Sequence, residues 1–232
     1  MIGDVNAARR VLPQWQIEAG RFGLVRRLAD DLAHEFKNPL HALVINLEVM
    51  KRRVEKGNTP AALERAAVLE HEVHRLDGLL DALLKLLRPE RGASGPISFG
   101  ELWSGLGLLI GLRARLARVE YSEQDLPEDA YVAVAPDVVR FAVLGASEYV
   151  LDAARPNGTP ITLTGSSADD EIVLTLVTAG KAHKHASPDE LDSLSFAAHL
   201  LNQVGGAVET KHNSRVDAGT TVLVRIPRAS YT

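Results

Sequence analysis

Within Leu69-Glu70-His71-Glu72-Val73-His74-Arg75-Leu76-Asp77-Gly78-Leu79-Leu80-Asp81-Ala82-Leu83-Leu84-Lys85-Leu86-Leu87, an apolar residue returns at Leu69, Val73, Leu76, Leu80, Leu83 and Leu87. Those alternating steps of four and three are a heptad seam, and Glu70, Glu72, Arg75, Asp77 and Lys85 take the other faces. Upstream, Leu24, Leu28, Leu32, Leu40, Leu43, Val44, Leu47, Met50 and Val54 also recur at three- and four-residue steps, which predicts a helix from about Phe22 to Val54. Between the two lies Gly57-Asn58-Thr59-Pro60, a stop followed by a start, with Thr59 as the expected N-cap and Pro60 in the first turn. So short a turn makes the helices antiparallel neighbours. A lone hairpin cannot bury both stripes. A second copy completing a four-helix bundle is the expected solution; packing of the stripes on the chain's own C-terminal half is the alternative.

Residues 1–21, with Gly3, Pro13 and Gly20, read as a loose lead-in, residues 22–88 as the hairpin and 89–97, rich in Pro, Gly and Ser, as a linker. From 98 to 232 the texture changes to mixed helix and strand. Helices are expected at Phe99 to Ala117, Pro136 to Ala154 and Leu191 to Val204. Strands are expected at Val119 to Tyr121, Tyr131 to Val134, Pro160 to Gly165, Glu171 to Val177, Val208 to Lys211 and Thr220 to Ile226. Helices on one face of a mixed sheet make an α/β sandwich, expected to stand separate from the hairpin, and the whole is of the α+β class.

Bulk properties narrow the function. The 232 residues are 46% hydrophobic with a net charge of −4 and no basic block, which argues against a nucleic-acid partner. Aromatic residues make up 5%, too few for a base-stacking platform. Cysteine is absent, so there are no disulfides or thiolate metal sites, in keeping with a reducing compartment. Apolar runs such as Leu106 to Leu112 fall far short of the roughly 20 residues that span a bilayer. With no recognisable leader at the N-terminus, the expectation is a cytoplasmic protein without a membrane partner.

Among eight histidines, His34 stands out. It falls in mid-helix five residues before Pro39, whose ring removes a helical hydrogen bond and opposes the carbonyl of Glu35, at roughly 3 kcal/mol. Neutral imidazole is a competent nucleophile near neutral pH. Glu35 is placed to orient the ring and take its proton, and Asn38, four residues on, shares the helical face and brings an amide. The set is not a zinc motif, because Asn38 stands where His-Glu-x-x-His has its second histidine. His71 and His74 flank the seam without comparable neighbours, and His183, Lys184, His185, Asp189 and Glu190 read as a solvated loop, so no metal site is expected.

The segment Leu32-Ala33-His34-Glu35-Phe36-Lys37-Asn38-Pro39-Leu40 resembles the H-box of the dimerisation and phosphoacceptor domain of bacterial sensor histidine kinases, and the resemblance extends over the hairpin. It implies that His34 carries a phosphoryl group, that Glu35 is the general base and that Asn38 positions a phosphoryl oxygen or water. It also implies a homodimer, and receiver domains of response regulators as partners, docking near Phe36, Lys37, Leu40 and Val44. The C-terminal half is similar in element order to the family's ATP-binding domain, a sandwich of the histidine-kinase ATPase type. The binding boxes of that domain depart from the pattern. Its two asparagines correspond to Gly145 and Tyr149, with Glu148 and Asp152 as nearby carboxylates. Thr178 takes the place of the adenine-binding aspartate, and Ala182 that of a glycine. The segment Leu191 to Ser195 has no glycine, and the lid from Lys181 to Asp189 is short.

Those departures lead to the expectation of a histidine phosphotransferase that relays phosphoryl groups between His34 and receiver aspartates. It would bind no ATP and hold no cofactor, the receiver supplying magnesium. The alternatives are a pseudokinase adaptor that carries no phosphate, and an atypical but active sensor histidine kinase.

Overall fold

The computed structural model describes residues 13–87, 95–168, 170–180, 192–212 and 219–229, without the side chains of Asn38 and His212. Most of the expected linker, and the cluster of His183, Lys184, His185, Asp189 and Glu190, lie outside these residues.

Helix α1 runs from Gln14 to Glu55 and α2 from Thr59 to Leu87. The turn between them is built from Gly57, in the left-handed region at φ 68°. Gly57 N donates to Val54 O at 2.9 Å and Asn58 N to Arg53 O at 2.9 Å, the paired bonds of a Schellman cap. Asn58, not Thr59, caps α2: its Oδ1 accepts from Ala61 N at 3.3 Å. At its other end α1 begins earlier than its apolar spacing predicts. Gly20, which reads as a loop residue, lies so close to Phe196 that a Cβ there would come within 2.7 Å of the ring. Arg21 sits 5.0 Å from the centroid of Phe141 and reaches Asp137 at 3.2 Å. Packing on the C-terminal half therefore orders the first turns.

That packing corrects the expectation of a sandwich standing apart from the hairpin. Leu24, Leu28 and Leu32 of α1, with Leu79, Ala82 and Leu86 of α2, belong to one core with the C-terminal half. Helix α3, Phe99–Leu116, lies against α2, where Gly105 leaves room for Ala82. The alternative of burying the stripes on the chain's own second half thus holds for the end of the hairpin near that half. Toward the turn, Leu40, Val44, Leu47, Val54, Leu63 and Val68 are exposed. Even the heptad seam is divided, because Val73, Leu80 and Leu87 face solvent while Leu79, Ala82 and Leu86 are buried, Ala82 against Gly105 of α3.

The α/β half is a five-stranded mixed sheet in the order β2-β4-β5-β7-β6, beside a small pair of β1 (Ile97–Ser98) and β3 (Tyr131–Val132). The large sheet's strands are β2 (Tyr121–Gln124), β4 (Ile161–Ser167), β5 (Glu171–Thr178), β6 (Ala207–His212) and β7 (Thr220–Pro227). Among the described residues only β2 and β4 pair in parallel. Register aligns Leu163 with Leu176, Leu174 with Val224 and Ile172 with Ile226, all buried, as period-two alternation requires. Helix α4 (Pro136–Ala154) packs on that face, opened by Pro136 and Asp137 in its first turn, and α5 (Ser193–Asn202) lies on α4. A helical hairpin followed by an α/β domain with a mixed sheet is the α+β arrangement expected.

Candidate functional site

Helix α1 continues through Pro39, so the bond lost there does not end it. Leu28 and Leu32 point inward at a four-residue spacing, which fixes the rotation of the helix and leaves His34 exposed. Of the residues expected near a partner, Lys37 is exposed, as are Leu40 and Val44 at 53% and 68%. Phe36 is half-buried and packs against the core. The side chain of Asn38 lies outside the described residues, so its expected role stays an expectation.

Glu35 is held elsewhere than on the imidazole. Its Oε1 accepts from Arg75 Nη2 of α2 and lies at 2.6 Å from Arg115 Nη2 of α3, each contact 2.6 Å long, with the carboxylate side chain only 13% exposed. Arg75 also reaches Glu72 at 3.1 Å. One turn earlier, Asp31 pairs with Arg113, which makes two 2.6 Å bonds to the carboxylate of Glu148 on α4. Burial pulls the Arg113 guanidinium down, but the hydrogen bond and charge of Glu148, then the charge of Asp152, outweigh it and the net direction is up. Sequence reasoning did not find Arg75, Arg113 or Arg115. Each is an ordinary helical charge by spacing, and only the meeting of α1, α2, α3 and α4 gives it a partner.

The face where the family resemblance would place a nucleotide is built differently from the pattern. A Cβ on Gly145 would come within 2.8 Å of Ser193 O and 3.3 Å of Ala197 Cβ, so this glycine serves the close crossing of α4 and α5. Glu148, one of the carboxylates near those positions, spends both oxygens on Arg113. Asp152 lies 3.7 Å from Arg155. Tyr149 is half-buried; burial, then the charge of Asp192, raises its phenol pKa. At the end of β5, Thr178 Oγ1 is 2.9 Å from Thr159 Oγ1 and accepts from Gly180 N at 3.2 Å, while Thr220 Oγ1 donates to Gly180 O at 2.8 Å. Among the described residues no group of three or more acids or histidines could hold a metal ion. Thr178, at the position of the family's aspartate, is thus tied to Thr159 and Gly180, and Gly145, at one amide position, is taken up by the crossing of α4 and α5, while Tyr149 and Asp152 are half-exposed on α4.

Residues 24–92 match the family described as His Kinase A (phospho-acceptor) domain. Across 229 residues the chain is 22% identical to the C4-dicarboxylate transport sensor protein DctB of Rhizobium meliloti, covering 92% of this chain and 36% of the relative. Across 224 residues it is 21% identical to Sporulation kinase D of Bacillus subtilis, covering 90% of this chain and 43% of the relative. The chain therefore spans less than half the length of these curated relatives. Among solved structures it is similar to the Acinetobacter baumannii histidine kinase AdeS, at 14% identity and a TM-score of 0.45, covering 85% of this chain and 98% of that one. A likeness at that score supports no further argument.

These relatives overturn the expectation of a phosphotransferase without ATP binding. Both alignments run through the α/β half as well as the hairpin, and the relatives are by name a sensor protein and a kinase. Among the described residues no helix is long and apolar enough to cross a membrane.

Proposed function

Because this chain is a bacterial histidine-kinase-like protein, we propose that it works as an atypical histidine kinase of a two-component system, with His34 as the residue it phosphorylates. The observation that carries this reading is the placement of His34, exposed in mid-helix on the phospho-acceptor hairpin and followed directly by a carboxylate. The unprotonated ring nitrogen would attack the γ-phosphorus of ATP, the bond to the ADP oxygen would break, and the proton on the other ring nitrogen would pass to Glu35. ATP would bind to the α/β half through contacts other than the family's usual amides and aspartate, with Tyr149 and Asp152 as half-exposed polar side chains on α4. The phosphoryl group would then go to a receiver-domain aspartate, the receiver meeting the exposed side of α1 at Lys37, Leu40 and Val44.

The test is incubation of the full chain with γ-labelled ATP and magnesium. Acid-labile label is expected on the wild type and none on His34→Gln. Label that persists in the variant would place the acceptor elsewhere, and an unlabelled wild type would leave a receiver-binding adaptor.

The exposed apolar row near the hairpin turn supports assembly of two copies into a four-helix bundle. Sedimentation is expected to give a dimer. Val54→Glu, which sets a charge in that row, should weaken it by about tenfold or more, and an unchanged dimer would put the interface elsewhere.

A further inference from the structure

The base assigned to His34 is occupied. Glu35 places one oxygen between Arg75 and Arg115, and two short charge-assisted contacts on a shielded carboxylate leave little reason for it to turn toward the imidazole. The two arginines come from different parts of the fold. Arg75 belongs to the same hairpin and is braced by Glu72, so it travels with Glu35. Arg115 lies in the last turn of α3, in the half that would carry the phosphoryl donor, and its side chain is 52% exposed.

Movement of the α/β half on the hairpin would therefore draw Arg115 away and leave Arg75 in place. The same movement would have to part Asp31 from Arg113, one turn back on α1. Two successive turns of α1, at Asp31 and Glu35, are thus tied to α3.

From this geometry we infer that Arg115 is an autoinhibitory latch on Glu35, withholding the base from His34 until the α/β half shifts. The inference rests on the proposed kinase reading for the role of Glu35. Arg115 touches no reacting atom and acts through the carboxylate alone. Both arginines grip Oε1, so releasing Arg115 leaves that oxygen with a single arginine partner and lets the carboxylate turn Oε2 toward the neighbouring ring as the phosphoryl group arrives.

A donor that needs no nucleotide site separates the two ideas. With phosphoramidate, a His34 ring nitrogen attacks phosphorus, the phosphorus–nitrogen bond to the departing ammonia breaks, and the ring N–H proton goes to Glu35. Phosphorylation of the full chain is followed with ATP and with phosphoramidate in wild type, R115Q, R115K, E35Q and R115Q/E35Q. The latch predicts about fivefold faster labelling by phosphoramidate in R115Q, the scale of a base partly freed. It predicts slow labelling again in R115K, which restores the cation, and the same slow rate in E35Q and R115Q/E35Q. An R115Q rate at or below wild type would overturn the latch. So would acceleration by R115Q that persists in the E35Q background, since the effect would then bypass the carboxylate. Absence of label from ATP in every variant would defeat the kinase reading, while the phosphoramidate rates would still decide the latch.

Discussion

Arg113→Met should destabilise the protein by about 3–5 kcal/mol, the cost of removing one partner from a buried ion pair. The substitution leaves the Glu148 carboxylate in the middle of α4, 6% exposed, without the two bonds that now satisfy both of its oxygens. Asp31, the third member, is nearer the surface and can turn to water, so it adds less. Urea unfolding followed by tryptophan fluorescence measures the loss. Arg113→Met combined with Glu148→Met should recover most of it, because an apolar pair of similar volume needs no desolvated charge to be balanced. A loss under about 1 kcal/mol for the single variant would mean that water reaches the pair and that it is worth no more than a surface contact.

Gly180→Ala should cost about 3 kcal/mol, at the upper end of ordinary overpacking. A Cβ at this position would stand 2.1 Å from Ala153 O and 2.9 Å from Ala154 Cα. Those are backbone atoms at the end of α4, not the flexible tip of a side chain, so β5 or α4 would have to shift. The shift would also pull Gly180 O from its bonds with Thr220 N and Oγ1 and loosen the threonine cluster. Gly23→Ala is the matched comparison, a helical glycine with nothing within 4 Å of the new methyl. It should be neutral or stabilising by up to about 1 kcal/mol, since alanine is the better helix former. Equal melting temperatures for the two variants would show that α4 and the end of β5 yield freely.

The threonine cluster also bears on how the α/β half was read. Thr178 stands where the resembled family has a carboxylate, and the substitution is plain in the sequence. What the substitution does locally is visible only with Thr159, Gly180 and Thr220 around it. Hydroxyls and backbone groups there satisfy one another. The same holds for Gly145: its identity departs from the pattern, but its role in the crossing of α4 and α5 depends on Ser193, nearly fifty positions along the chain. Absence of familiar residues speaks of those residues alone, and relatives aligned over 90% and 92% of this chain run against a phosphotransferase without ATP binding.

Local patterns were sufficient where the physics is local. Periodic leucines, a left-handed glycine between two amphipathic runs and alternating or apolar runs in β4, β5 and β7 specify the hairpin and most of the sheet, because helix and strand periods act over a few residues. The helix around His34 and the adjacency of Glu35 belong to the same scale. Three things required the tertiary structure: the early start of α1 against Phe196 and Phe141, the joining of the hairpin's near end to the α/β core, and the partners of Glu35. Each depends on groups far apart in the chain, whose meeting is set by helix rotation and packing rather than by spacing. His34 and Glu35 were therefore legible as an imidazole beside a carboxylate on one helix, while the arginines that hold that carboxylate emerged only when α1, α2 and α3 came together.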